Sequence, residues 1–337
     1  MAKIFVAGSG GWGTALGLMA LHNGHEVTLW SPFAQEIDSI RRHQEHKKLL
    51  PGVPIPESMG LTIDLAEAAD ADLVIMAVPS FAVENTAKGL RPHLTEKTII
   101  ANVGKGLKDD TLQRFSEVIE AAVPQCPVVV LSGPSHAEEV ARGIPTAVVS
   151  ASKCIEAAEK VQEWLMNPRF RIYVNPDVVG VELGGALKNV IALAAGILDG
   201  MQQGDNAKAA MMTRGLAEMA RLGEALGAKT ETFFGLSGMG DLVVTCGSTH
   251  SRNRRAGILI GQGFPAEVAV KQVGTVEGYL AAQAAWRLAQ KAGVDMPIVE
   301  QCYRVCYEGR PVSEAIRLLM SRPQGSEVLG ESNEKAE

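Results

Sequence analysis

Several features that define whole classes of protein are scarce in this sequence of 337 residues. Aromatic residues make up 5% of it, the formal net charge is −6, and no run of basic residues is longer than two. A phosphate backbone would find no broad positive surface on such a chain. We therefore expect no nucleic-acid partner.

Cysteine is also scarce, with five residues in the chain. They form no C-x-x-C pair and have no histidine at metal-ligand spacing, so the sequence predicts neither a disulfide framework nor a metal site. Cys302 and Cys306 are one helical turn apart, but two cysteines in an apolar helix are more often small core residues. Reduced thiols indicate a cytoplasmic protein.

Neither a secretory leader nor a membrane span is apparent. The first residues, MAKIFVAGSG, lead directly into a strand-like run, and no apolar stretch approaches the roughly 18 residues expected of a transmembrane helix. A hydrophobic content of 46% with 35 glycines is typical of a globular enzyme or binding protein. The length predicts two domains, and leaves the oligomeric state, including a homodimer, open.

The N-terminal segment has the pattern of a βαβ unit. We predict a strand over 4–7, a helix over about 12–23 and a second strand over 27–30, with Gly8, Gly10 and Gly13 forming G-x-G-x-x-G between strand and helix. In dinucleotide-binding proteins these glycines allow a tight turn, the approach of a pyrophosphate and close helix packing. The start of the helix then offers free N–H groups to the phosphates.

Four more apolar runs continue this pattern, in the segments DLVIMAVPS, TIIANVGKG, VVVLSGPSH and TAVVS. Continuous apolar runs favour a parallel sheet that is buried on both faces. Strand signals stop after NPDVVG (175–180), and helical segments follow. We predict an α/β fold: a Rossmann-like, doubly wound domain over 1–176, an all-α substrate-binding domain over 177–325, and a frayed tail over 326–337.

The second strand is not followed by the expected acid. NAD-binding proteins carry Asp or Glu about 20 residues after the fingerprint, where it binds the ribose 2′-hydroxyl. Here Ser31, Pro32 and Phe33 follow the strand, and Glu36 is the nearest acid. No arginine takes its place immediately, so the choice between NAD(H) and NADP(H) stays open.

One lysine interrupts a long apolar helix, VELGGALKNVIALAAGILDG (181–200). Lys188 needs a reason to be there, because burying an unpaired ammonium costs several kcal/mol. It can extend to solvent along its methylenes, pair with a structural carboxylate, or act in catalysis. Gly184 and Gly185 lie one turn away, which predicts that a backbone or a ligand approaches this face closely.

Two further polar stretches occur in the second half, GLSGMGDLVVTC (235–246) and SRNRRAG (251–257). Taken alone, Asp241 is expected to be a helix N-cap. Arg252 with Asn253 at a helix start would form a small anion site, although short charge runs are more often solvated.

The sequence resembles the family of bacterial NAD(P)-dependent glycerol-3-phosphate dehydrogenases along its whole length. The resemblance is carried in order by GSGGWGTALG, NVGKGL, SGPSHAEEVARGIPTAVV, ELGGALKNVIALAAGI, GDNAKAAMMTRGLAEMARLGEALGA, GLSGMGDLVVTC, SRNRRAG and VEGY. It implies interconversion of sn-glycerol 3-phosphate and dihydroxyacetone phosphate for phospholipid synthesis. Pro32 stands where many relatives have a basic residue, which bears on the preference between NAD and NADP.

The resemblance also implies roles for individual residues. Lys188 matches the general acid and base, with Lys105 and Asp241 as further catalytic residues. Substrate-binding positions are Lys105, Gly133, Ser135, Lys188, Asp241, Ser251, Arg252 and Asn253. Cofactor-binding positions, together with the three glycines above, are Gly11, Trp12, Lys105, Ala137, Arg252, Thr275 and Glu277.

In this mechanism Lys188 must be neutral to take the proton of the C2 hydroxyl. Burial beside Lys105 and Arg252 is expected to lower its pKa from the ordinary value of about 10.4. Two rivals remain: a related reductase of another small hydroxy compound, such as ketopantoate, and a nucleotide-sensing protein without turnover.

Overall fold

The computed structural model describes residues 1–323, so the tail predicted over 326–337 lies outside the described residues. The chain divides into two compact units. Unit 1 comprises Met1–Ala186 and Leu226–Val244, and unit 2 comprises Leu187–Ala225 and the chain from Thr245 onward.

Ten strands occur in residues 1–323, all of them in unit 1. They are β1 (Lys3–Ala7), β2 (Glu26–Trp30), β3 (Glu45–His46), β4 (Leu50–Pro54), β5 (Gly60–Thr62), β6 (Leu73–Met76), β7 (Ile99–Asn102), β8 (Val128–Ser132), β9 (Thr146–Ala151) and β10 (Phe170–Asn175). Strands β3 and β4 form a separate antiparallel pair.

Fifteen α-helices accompany them in the same part of the chain. They are α1 (Gly11–His22), α2 (Ala34–His43), α3 (Val83–Leu90), α4 (Phe115–Ala122), α5 (Ala137–Ala141), α6 (Ile155–Leu165), α7 (Val178–Gly200), α8 (Gly204–Ala225), α9 (Thr230–Phe233), α10 (Asp241–Gly247), α11 (Arg252–Gly261), α12 (Ala266–Val273), α13 (Glu277–Ala292), α14 (Pro297–Tyr307) and α15 (Val312–Met320). Helices α7 and α10 each run across the boundary between the units.

The main sheet has eight strands in the order β10-β9-β8-β7-β6-β1-β2-β5. Its pairings are parallel except that of β8 with β9, which is antiparallel. This pairing departs from the predicted parallel arrangement. Parallel neighbours are usually joined by a crossover through a full helix, whereas the five-residue α5 is the helix between these two strands.

Both faces of the sheet are covered, which explains the continuous apolar runs in the sequence. Along β1, Ile4 and Val6 belong to one apolar cluster, and Phe5 and Ala7 belong to another. All four side chains are buried. Because successive residues of a strand point to opposite faces, each face packs on its own layer. The predicted doubly wound sheet is therefore confirmed, as is the helical character of the second half.

Helix α7 corrects one expectation. It is long and apolar enough to cross a membrane by length and composition, with a mean hydropathy of 1.5, although the sequence was expected to hold no such stretch. However, 94% of its most apolar window is buried inside the protein. A core helix has this character as well, so length and composition alone are weak grounds for a membrane span.

In unit 2 a buried carboxylate holds the start of α14. Glu218 of α8 accepts hydrogen bonds from the backbone N–H groups of Ile298 (2.8 Å) and Val299 (3.2 Å). These are donors that the first turn of a helix leaves unsatisfied. Burial raises the pKa of the Glu218 carboxyl from 4.5 to about 7, and the two backbone hydrogen bonds oppose this shift.

This pKa shift predicts a pH-dependent stability. The folded state binds a proton more tightly than the unfolded state, so the contribution of Glu218 is full below pH 4.5 and is lost as the pH rises through 7. We expect wild type to lose up to about 3 kcal/mol more than Glu218→Gln between pH 5 and pH 8. Urea unfolding followed by circular dichroism at both pH values measures this difference. The exposed Glu224 on the same helix supplies the control Glu224→Gln, and equal pH dependence in all three proteins would contradict the prediction.

Candidate functional site

The glycine turn between β1 and α1 has the geometry that a pyrophosphate needs. Gly8 has φ +126°, and a Cβ there would lie 2.6 Å from the Ala77 carbonyl oxygen. A Cβ at Gly13 would overlap the Gly8 carbonyl oxygen, whereas a Cβ at Gly10 meets nothing within 4 Å. Gly8 and Gly13 are therefore required for folding, and Gly10 leaves open space beside the start of α1. The turn fits a dinucleotide.

Two neighbouring segments approach this turn. A Cβ at Gly11 would lie 2.8 Å from the Leu49 carbonyl oxygen and 3.8 Å from the Ala137 Cβ, so α5 begins beside α1. Trp12 packs against the apolar cluster on that face of the sheet. The structure thus brings Gly11 and Ala137 together with the glycine turn.

Glu36 of α2 also lies at this turn, although the sequence alone assigned it no role. Its Oε2 accepts hydrogen bonds from the hydroxyls of Ser9 and Ser31, each at 2.6 Å, and its Oε1 lies 3.1 Å from His46 Nε2. The hydrogen bond from His46, opposed by burial and helped by the two serines, lowers the pKa of the Glu36 carboxyl to about 2. The side chain remains 28% exposed.

Lys105 brings together polar groups at the carboxyl ends of two adjacent strands, β7 and β8. Its Nζ donates to the Gly133 carbonyl oxygen (2.9 Å), to Ser135 Oγ (3.4 Å) and to Asp241 Oδ2 (2.7 Å). The Asp241 side chain is 2% exposed and that of Lys105 is 18% exposed. Because this ion pair is largely buried, its geometry is defined. It places the Lys105 ammonium at the carboxyl ends of the strands, where parallel sheets bind their ligands.

The expectation that Asp241 is an N-cap is wrong. An N-cap residue has non-helical backbone angles, whereas Asp241 has φ −71° and ψ −32° and follows a π-helical turn over Leu236–Gly240. Its carboxylate instead binds Lys105. Thr245 follows four residues later, so the two side chains share one face of α10.

Lys188 is buried, with 5% of its surface exposed, and its Nζ donates to Thr245 Oγ1 at 2.6 Å. This burial excludes the interpretation in which the amine extends to solvent. The two glycines one turn earlier have other neighbours. A Cβ at Gly184 would lie 2.8 Å from the Ser237 carbonyl oxygen, and one at Gly185 would lie 2.7 Å from Ser132 Oγ. A backbone and a side chain therefore approach these glycines.

Helix α11 begins with the polar stretch that the sequence singled out. Ser251 caps it by accepting the Arg254 N–H (3.2 Å). Asn253 is buried, donates to Asn189 Oδ1 (2.8 Å) and accepts the Gly278 N–H (2.8 Å). Arg252 is exposed at the first position of the helix. Its guanidinium, beside free N–H groups of a helix start, has the chemistry of an anion site.

The contact of Asn253 with Gly278 places the start of α13 beside that of α11. Glu277 is the first residue of α13, and the exposed Thr275 precedes it by two residues. The start of α13, with Glu277, therefore lies close to the Ser251–Asn253 segment within unit 2.

Sequence reasoning missed several partners of the predicted residues. Thr245 and Asn189 had no assigned role, although Thr245 lies one turn from Asp241 and Asn189 adjoins Lys188. It also missed Asp199, which accepts from Arg254 Nε (2.6 Å) and from Lys208 Nζ (2.9 Å). Helical spacing from Asp241 would have pointed to Thr245. Nothing in the sequence pairs Asp199 with Arg254, which is 55 positions away.

Comparisons with known proteins agree across the chain. A family model described as NAD-dependent glycerol-3-phosphate dehydrogenase N-terminus matches residues 3–158, and one described as its C-terminus matches residues 177–317. The chain is 50% identical to glycerol-3-phosphate dehydrogenase [NAD(P)+] of Clostridium perfringens, over 98% of this chain and all of that protein. It is 51% identical to the corresponding enzyme of Moorella thermoacetica, over 97% of this chain and 98% of that one.

Solved structures give the same result. Glycerol-3-phosphate dehydrogenase of Coxiella burnetii superposes with a TM-score of 0.91 at 38% identity, over 95% of this chain and 99% of that chain. A ketopantoate reductase of Ralstonia eutropha, at 15% identity and a TM-score of 0.61, shows a likeness of fold alone, over 90% of this chain and 97% of that one. The family models and the full-length relatives together show that this chain belongs to the NAD-dependent glycerol-3-phosphate dehydrogenase family.

Proposed function

We propose that the protein interconverts sn-glycerol 3-phosphate and dihydroxyacetone phosphate with NAD(H) or NADP(H), as a glycerol-3-phosphate dehydrogenase. The observation that carries this proposal is the near 50% identity to enzymes of that name over essentially the whole of both chains. The open glycine turn, the buried Lys188 and the partly buried Lys105 supply the chemistry that the reaction needs. No group of three potential metal ligands occurs in residues 1–323, and the proposed reaction uses none.

The nucleotide is proposed to bind in unit 1, on the turn formed by Gly8, Gly10 and Gly13. The adjacent Gly11, Trp12 and Ala137 line the same region. Free N–H groups at the start of α1 stabilise the pyrophosphate charge. When bound, the nicotinamide accepts or donates the hydride. By the resemblance alone, Arg252, Thr275 and Glu277 are proposed as further contacts of the cofactor.

Lys188 is proposed as the general acid and base. In the oxidative direction its neutral amine takes the proton of the C2 hydroxyl, and in reduction its ammonium returns that proton to the oxygen. The side chain is buried, which shields this proton transfer from bulk water. The hydrogen bond to Thr245 orients the amine, because it fixes one of the Nζ directions.

The remaining polar residues are proposed to position the substrate. Lys105, held by Asp241, stabilises negative charge that develops on the substrate oxygen, and the Gly133 and Ser135 segment lies beside it. Ser251, Arg252 and Asn253 are proposed to bind the phosphate, which does not react. Contacts to such a remote group contribute positioning and specificity.

On this proposal 1–176 is the nucleotide-binding domain and 177–325 is the substrate-binding and catalytic domain. Within the second range, 177–186 and 226–244 belong to unit 1. We also propose a cytoplasmic enzyme that supplies glycerol phosphate for phospholipid synthesis. Five cysteines without a disulfide in the structure are in keeping with a reducing compartment.

The substrate phosphate provides the first test of this function. We expect fast oxidation of reduced nicotinamide with dihydroxyacetone phosphate, and at least about 100-fold lower kcat/KM with unphosphorylated dihydroxyacetone, because the phosphate contacts position the ketone. Ketopantoate is the substrate expected if the protein is instead a related reductase. It should be turned over no faster than unphosphorylated dihydroxyacetone. Steady-state absorbance at 340 nm measures all three. Binding of NADH without oxidation by any of them would favour the nucleotide-sensing rival.

Lys188→Met tests the proposed acid and base. The substitution preserves the apolar stem and removes the amine, so we expect kcat to fall by on the order of 10² or more while nucleotide affinity stays the same. Lys291→Met changes an exposed lysine on α13 and should leave both quantities unchanged. A near-normal kcat in folded Lys188→Met enzyme would refute the assignment.

Gly10→Ala tests the nucleotide site without disturbing the fold. Gly10 has φ −58° and ψ 167°, which alanine adopts readily, and its Cβ would meet no protein atom within 4 Å. We expect the melting temperature to stay within a few degrees of wild type and the Kd for NADH to rise about tenfold or more, since the methyl group occupies space the pyrophosphate needs. Gly247→Ala, also with nothing within 4 Å, is the control. Unchanged affinity for NADH in Gly10→Ala would contradict the proposed site.

A further inference from the structure

The glycine turn lies beside the end of β2, where proteins of this fold distinguish the two nicotinamide cofactors. NAD has a free 2′-hydroxyl on the adenine ribose, and NADP has a phosphate there. The Gly8 N–H donates to the Trp30 carbonyl oxygen at 3.1 Å, which ties the turn to the last residue of β2. The residues that follow β2 would therefore be the ones to hold the ribose of a nucleotide bound on the turn.

A carboxylate lies at this place although the sequence pattern lacks it. Ser9 belongs to the glycine turn and Ser31 directly follows β2, and the hydroxyls of both donate to the same oxygen of Glu36. In many dinucleotide-binding proteins the acid stands at the end of the strand. Here α2 supplies it, five residues after Ser31. Searching only the expected position overlooks it.

The environment of Glu36 keeps it negatively charged. Its pKa of about 2 leaves the carboxylate ionised at neutral pH. His46 is bound on both sides of its ring, since its Nδ1 accepts the Leu49 N–H (3.3 Å) and its Nε2 lies 3.1 Å from Glu36 Oε1. On the same helix, Arg41 is engaged with Asp38 and with the Leu61 carbonyl oxygen.

The carboxylate can still bind a ribose. Two ionised oxygens accept about four hydrogen bonds, and Ser9, Ser31 and His46 supply three. With 28% of the side chain exposed, an acceptor position remains for a hydroxyl. A 2′-phosphate at the same place would meet the like charge of this carboxylate, which is the means by which a site rejects an unwanted ligand.

We propose that Glu36 is the residue that selects the cofactor, accepting a hydrogen bond from the adenine-ribose 2′-hydroxyl and making the enzyme prefer NAD(H) over NADP(H). The inference rests on the proposed nucleotide site and goes beyond it, because the family's activity is compatible with either cofactor. Pro32, which stands in place of a basic residue, supplies no compensating charge.

The test measures binding of ADP-ribose and 2′-phospho-ADP-ribose by isothermal titration calorimetry, with no substrate present. We expect wild type to bind ADP-ribose at least tenfold more tightly. Glu36→Gln, which keeps the shape and loses the charge, should reduce this ratio at least tenfold, chiefly through tighter binding of the phosphorylated ligand. Glu57→Gln is the matched control, since Glu57 is an exposed carboxylate of the same unit that accepts from Gln44 Nε2 (2.9 Å).

The outcomes separate this inference from the proposed function. Equal or tighter binding of 2′-phospho-ADP-ribose by wild type overturns the role of Glu36 whether or not the variant folds. An unchanged ratio in folded Glu36→Gln also overturns it. Both results leave the dehydrogenase activity intact, whereas failure of wild type to bind either ligand removes the nucleotide site itself. Steady-state kcat/KM values for NADH and NADPH should follow the same ratio as the affinities.

Discussion

The buried helix α7 imposes the constraint on which the rest of the structure depends. Its polar side chains lie in an apolar interior, where an unpartnered charge costs several kcal/mol. Glu182 is bound by Arg114 and by Ser116, Lys188 by Thr245, and Asn189 by Asn253. Each of these contacts fixes a different neighbouring segment onto α7. Of these partners, Thr245 and Asn253 lie in unit 2, where their bonds to Lys188 and Asn189 position segments that carry the proposed chemistry.

Close approach to α7 depends on glycine. In unit 2, α11 packs so tightly that a Cβ at Gly196 would overlap the Arg254 carbonyl oxygen, and one at Gly257 would overlap the Leu193 carbonyl oxygen. Glycine in a helix costs roughly 1 kcal/mol relative to alanine, so its repeated use here trades local helix stability for backbone contact. The contact holds the N-terminus of α11, with Arg252, at a defined distance from the helix that carries Lys188.

The sequence predicts the sheet well because hydrophobic periodicity and the glycine fingerprint are local signals. It does not predict the antiparallel pairing of β8 with β9, since strand direction depends on the path of the connection. In the candidate site, Lys105, Asp241 and Lys188 were identified by motif, but the bond between Lys105 and Asp241 spans 136 positions and has no local signal. Sequence spacing assigns no role to Glu36, because its contact with Ser9 on the glycine turn spans 27 positions.

Two carboxylates show that burial, and not the number of hydrogen bonds alone, determines the direction in which the pKa of an acid shifts. Glu182 accepts from Ser116 and Arg114, yet its burial raises its pKa. Glu36 accepts from two serines and His46, and its partial exposure keeps the desolvation cost below the benefit of those bonds, so its pKa falls. Glu182 is enclosed by its protein partners and serves the fold. Glu36 keeps both its charge and an open acceptor position, which are the two properties needed to read the sugar of a nucleotide.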